Sequence, residues 1–239
     1  MQAMIGKMAR MYPVLIAMGF MIVVIALFVG YANAQTAADY FAHSKELRET
    51  TLMVQRASFE GVGLWLPYFK FLGLGLILGG IVMALRVIID NLKAAGNEVL
   101  SKLPSEKRPR SPASPWFGPV MPMVMMAGEL TFVVALIVSL GLARTAAQVF
   151  AHPVPEIDAA GAGTPLLAQV QAIVTSSAWL VPFKFLGVAT EFLAIAMGLA
   201  TIIFILGAQT ELLETGIRIA RGEQASARHP EAPTHGPAA

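Results

Sequence analysis

Glu129 and Glu191 stand inside long apolar runs, where a carboxyl group has few chemical options. It can exchange a proton, hold a small cation or neutralise a nearby base. Ionised and alone at mid-membrane, it costs about 2.5–3.5 kcal/mol on insertion scales. The basic counterparts are Lys70 and Lys184, each five residues after a tryptophan, in Trp65-Leu66-Pro67-Tyr68-Phe69-Lys70 and Trp179-Leu180-Val181-Pro182-Phe183-Lys184. At about 1.5 Å per helical residue, Glu191 lies about 18 Å beyond Trp179, near the midplane if that tryptophan marks the membrane surface. Lys184 and Glu191 are seven apart and share a helix face. Lys70, Glu129, Lys184 and Glu191 thus form a candidate intramembrane charge cluster, with Lys184 expected to pair with Glu191 and both carboxylates expected to face protein. A proton or cation pathway is the other use of these groups, although only Thr131, Ser139 and Thr190 add polar atoms to it. For the lysines, the plainer role is snorkelling of the apolar stem towards the headgroups.

His43 and His152 form a second, weaker pair at the outer ends of the first and third apolar runs. Two imidazoles could ligate a metal or a haem, but a haem bundle would want its ligands within the apolar core, and neither histidine is there. Met121, Met123, Met125 and Met126 cluster around Pro122, and Met4, Met8 and Met11 follow helical spacing. Thioethers suit Cu(I), yet methionine also fills apolar packing, and no cysteine or adjacent histidine joins the cluster. No metal or cofactor is expected. Nor is an enzyme: there is no nucleophile–base spacing, no metal-ligand motif and no phosphate-cradling glycine loop. Gly75, Gly79, Ala194 and Gly198 have the small-xxx-small spacing that lets helices approach closely, so they are candidate packing positions.

The elements that must position these residues are written twice. Pro13, Gly19, Val24, Ala26, Leu27, Val29 and Ala34 recur 109 residues later as Pro122, Gly128, Val133, Ala135, Leu136, Val138 and Ala143. Thr36-Ala37-Ala38 and His43 return as Thr145-Ala146-Ala147 and His152, and the Trp-to-Lys segments recur 114 residues apart. Neither glutamate is repeated; Phe20 and Ile77 stand at the equivalent places.

With 56% hydrophobic and 13% charged residues and a mean hydropathy of +0.66, the chain is too apolar for an ordinary soluble domain. Four runs near Tyr12–Ala34, Leu64–Ile89, Trp116–Leu142 and Ala178–Ala208 reach the roughly 20 residues that a membrane helix needs. The expected fold is an all-α integral membrane protein of four transmembrane helices, arranged as two tandem parallel-related hairpin repeats about a pseudo-twofold axis along the membrane normal. Residues 1–102 make the first repeat with its outer loop, 103–115 a cytoplasmic linker, 116–221 the second repeat and 222–239 a disordered tail. Lys7 and Arg10, followed by an apolar run and Ala32-Asn33-Ala34, also have the outline of a secretory signal. The run is too long for a typical signal core, which favours a retained helix.

Lys and Arg concentrate before the first run, in the middle loop and after the fourth, which places both termini in the cytoplasm, with a bacterial inner membrane as the expected location. Ser44–Phe59 reads as a helix lying on the membrane surface. Asp90–Leu100 and Thr210–Arg221 read as cytoplasmic extensions of the second and fourth spans, with Gly222 as a stop. The basic middle loop lacks interleaved aromatics, so no nucleic-acid partner is expected. The duplicated proteolipid hairpins of rotary ATPases share a carboxylate in the last span, but their short loops do not match these. The expected role is a non-catalytic membrane subunit, in contact with lipid, that assembles with itself or with other membrane protein subunits. The alternative is a small proton- or cation-linked transporter or channel.

Overall fold

The structure, a computed structural model, describes residues 11–101 and 115–228, with side chains described as far as Arg218. Almost all of the linker expected at 103–115 lies outside the described residues, as do Met4 and Met8. Six helices follow in order: α1 (Tyr12–Ala42), α2 (Lys45–Thr50), α3 (Met53–Ser101), α4 (Phe117–Val149), α5 (Val154–Asp158) and α6 (Pro165–Arg228). Among them α1, α3, α4 and α6 are long and apolar enough to cross a membrane.

Local sequence sets the boundaries. Pro13 sits in the first turn of α1, where its missing N–H breaks no bond. Ser44 caps α2 by accepting from the Leu47 N–H, and Glu46 in the first turn suits the helix dipole. Ser44–Phe59 is not one surface helix. The chain breaks at Thr51–Leu52, and Met53 onwards stands upright as the start of α3. Three donor contacts hold it there: Asn33 Nδ2 donates to the Phe59 carbonyl at 3.3 Å, and Gln55 Nε2 to the Thr36 carbonyl at 3.2 Å and Asp39 Oδ2 at 2.8 Å. Across the second hairpin, Pro153 precedes the short α5, and Gly163 at φ +87° turns the chain into α6. α6 then runs past Gly222 to Arg228, because a helical glycine costs about 1 kcal/mol but does not by itself end a helix.

At about 1.5 Å per residue, the 49 residues of α3 and the 64 of α6 span about 74 and 96 Å, far more than a hydrocarbon core of about 30 Å. Their C-terminal ends run on together as a paired stalk, joined where Gln209 Nε2 donates to the Leu92 carbonyl at 2.6 Å. In the span region, α3 is central. It packs against α1, α4 and α6, and α4 packs against α6. Neighbours in sequence run antiparallel, as the contacts of Gly19 with Gly73 and Tyr12 with Gly80, and of Gly128 with Glu191 and Met121 with Gly198, require. α3 and α6 run the same way, since Gly198 meets Leu85 and Gly96 meets Gln209.

A closed bundle on a pseudo-twofold axis would give α6 a contact with α1 matching that of α3 with α4. Instead, α1 packs along α3 and lies at the flank, with Phe20, Leu27 and Phe28 turned outwards. The glycines explain the difference. α3 receives α4 at Gly75 and Gly79, whereas the position equivalent to Gly79 on α6 is Leu193, which is exposed.

Candidate functional site

α3 is flattened on two sides by glycine. Gly73 and Gly80 admit α1, so closely that a Cβ at Gly73 would meet the Gly19 carbonyl at 2.9 Å and one at Gly80 the Tyr12 carbonyl at 3.2 Å. These are backbone-to-backbone approaches. Gly75 and Gly79 face α4 and receive side chains instead: the Phe132 ring lies over Gly75 and the Glu129 carboxyl over Gly79. Phe132 is fully buried, and its other edge rests on Gly187 of α6, so one ring wedges three helices together. On α6, Gly198 receives Met121 and Leu85, and Ala194 is fully buried in the core with Val82, Met83 and Met125.

The two glutamates meet on this glycine floor. Glu191, 0% exposed, lays its carboxyl group on Gly128, the chain neighbour of Glu129. Glu129 is half-buried and bears on Gly75 and Gly79. Both oxygens of Glu191 are buried and have no hydrogen-bond partner among the described residues. The fully buried hydroxyls of Ser139 and Thr201 lie about 15 Å away along their helices and donate to the Leu136 and Met197 carbonyls of those helices.

The lysines stand elsewhere. Lys184 places its ammonium over aromatic rings, 4.9 Å from the centre of Phe71, 5.4 Å from Phe185 and 5.5 Å from Tyr68. Such a cage stabilises a cation by about 0.5–2 kcal/mol depending on desolvation. Lys70 is exposed on α3, beside Gly30 of α1. The four expected charges therefore separate into a carboxyl pair and two cations without a part in it. The helix face shared by Lys184 and Glu191 was legible from their spacing. The cage was not, although Tyr68 and Phe71 flank Lys70 in sequence.

Other candidates also separate. Met121 and Met125 are buried, while Met123 and Met126 point outwards, so the four sulfurs do not converge. His152 Nδ1 lies 3.0 Å from Glu156 Oε1, and His43 is exposed at the end of α1. No group of three or more His, Asp or Glu side chains poised for a metal occurs among the described residues.

No family model, curated protein or solved structure matches this chain. The site's chemistry rests on its own geometry. Two carboxylates in a water-poor interior lose hydration and repel one another. A carboxyl group placed in this way needs a donor or a cation if it is to be held there as an anion.

Proposed function

We propose that this chain is a non-catalytic subunit of a membrane assembly, built from further copies of itself or from other membrane proteins. The observation that carries this reading is the stalk. Beyond the apolar spans, α3 and α6 continue side by side among Asp90, Lys93, Glu98, Glu211 and Glu214, in sequence polar enough for water. Yet Val99, Leu213 and Ile217 are 44%, 52% and 53% exposed there, and an apolar cleft lies between the two helices at Ala95, Leu100 and Leu212. Apolar side chains exposed together outside the bilayer favour a protein partner. The repeat in the sequence and the positive-inside bias support two related hairpins with the stalk in the cytoplasm.

Native mass spectrometry of the full chain in mild detergent, beside cross-linking in native membranes, tests this. An assembly that Leu213→Glu with Ile217→Glu dissociates, without a change in helix content, is the expected result. A chain that is monomeric and uncross-linked in both settings would overturn it.

A second reading, a proton- or cation-linked transporter or channel, is favoured by one observation: the carboxyl group of Glu191 has no hydrogen-bond partner among the described residues. Liposomes containing the purified protein distinguish the two. A pH- or cation-gradient-driven flux lost in folded Glu191→Gln supports transport. Absence of flux leaves the pair as a packing element of the subunit.

A further inference from the structure

Away from both the stalk and the carboxyl pair, the end of α1, α2, the start of α3 and Val154 of α5 line an open pocket of about 240 Å³. Its floor is aromatic: Tyr40, Phe41 and Phe59 hold their rings 5.1, 5.2 and 5.9 Å apart, centre to centre. The pocket is braced by the Tyr40 hydroxyl, which donates to the Arg48 carbonyl at 3.1 Å. Two guanidinium groups are steadied against rings, Arg48 at 5.2 Å from the centre of Phe41 and Arg56 at 4.7 Å from that of Phe150.

Both arginines present buried donors that no group among the described residues accepts, Nε of Arg48 and Nη1 of Arg56. Guanidinium N–H groups are rarely left so, because a buried donor without an acceptor costs about 1–3 kcal/mol, and more when it is charged. Their planar fork fits the oxygens of a carboxylate or phosphate. Among the described residues no carboxylate forms an ion pair with Arg48 or Arg56. Glu49 and Glu60 line the pocket, but Glu49 lies 3.7 Å from Lys45 Nζ. Lys45, Arg48 and Arg56 against Glu49 and Glu60 leave one positive charge in excess.

The geometry points to a binding site for a compact organic oxyanion, a phosphate or carboxylate on a small apolar body, held by Arg48 and Arg56 above the Tyr40–Phe41–Phe59 floor. The volume is several times that of a water molecule, about 30 Å³, yet below the roughly 300–1,000 Å³ of pockets for larger ligands. The same oxyanion chemistry is offered by a soluble molecule and by an anionic lipid headgroup.

Calorimetric titration of the full chain in mild detergent separates these sources. The probes are phenyl phosphate, inorganic phosphate, and micelles doped with phosphatidylglycerol or phosphatidylcholine. Saturable binding of phenyl phosphate, tighter than inorganic phosphate, indicates a soluble ligand. Binding of phosphatidylglycerol over phosphatidylcholine, without phenyl phosphate binding, indicates a headgroup. In either case, Arg48→Gln and Arg56→Gln should each weaken binding at least tenfold, and Arg144→Gln, exposed and outside the pocket, should not. If the pocket variants misfold, hydrogen exchange of the natural chain gives the decision: the bound probe should slow exchange of the α2 amides. No saturable binding by any probe, binding unchanged in both folded arginine variants, or unaltered α2 exchange would overturn the site.

Discussion

Lys184 holds its ammonium 4.9 Å from the centre of the Phe71 ring, while the carboxyl group of Glu191, two turns along the same helix, finds no hydrogen-bond partner among the described residues. The cation is stabilised by a neighbouring helix's aromatic face, whereas the carboxyl group of Glu191 draws no donor from the described side chains. Lys184→Met and Glu191→Gln should therefore act independently on stability. A double-mutant cycle read by melting in detergent is expected to show coupling below about 0.5 kcal/mol. Coupling well above about 1 kcal/mol would restore an ion pair between the two.

Phe132 carries the junction of α3, α4 and α6. Its truncation to alanine opens a cavity that glycine at positions 75 and 187 cannot fill, and should cost about 3–5 kcal/mol. The check is a fall in melting temperature larger than that caused by Phe192→Ala, whose ring is exposed.

Glycines differ by what they face. A Cβ on Gly75 would come 2.5 Å from the Phe132 ring, and one on Gly79 2.7 Å from a Glu129 oxygen. Gly75→Leu and Gly79→Leu should each destabilise by about 1–3 kcal/mol through overpacking. At Gly63 and Gly141 a Cβ would meet nothing within 4 Å, so Gly63→Ala and Gly141→Ala should stabilise their helices by about 0.5–1 kcal/mol. Thermal melting of the four variants gives the comparison.

Gln209 ties the stalk through its bond to the Leu92 carbonyl. Gln209→Leu should cost about 0.5–1.5 kcal/mol and speed hydrogen exchange in the last turns of α3 and around residue 209, leaving the span region unchanged. Uniform exchange changes along the whole chain would show that the stalk is not a separate unit of stability.

Uninterrupted apolar length made the four long helices legible in advance: a run able to cross a membrane satisfies its backbone polar groups within the segment as a helix. Continuation of α3 and α6 past the apolar runs was equally legible at Asp90–Leu100 and Thr210–Arg221, where no proline intervenes. The upright start of α3 was not, since Ser44–Phe59 has a surface helix's composition and only the bonds from Asn33 and Gln55 raise it against α1. Spacing placed Lys184 and Glu191 on one face of one helix. It could not say which neighbour that face would meet, because a period of 3.6 residues describes a helix and not its surroundings. That choice belonged to the packing: α3 brought Tyr68 and Phe71 to the lysine, and α4 brought Gly128 and Glu129 to the carboxylate. The open flank at α1 was likewise a matter of contact, since two similar hairpins need equal faces to close, and Gly79 and Leu193 made those faces unequal.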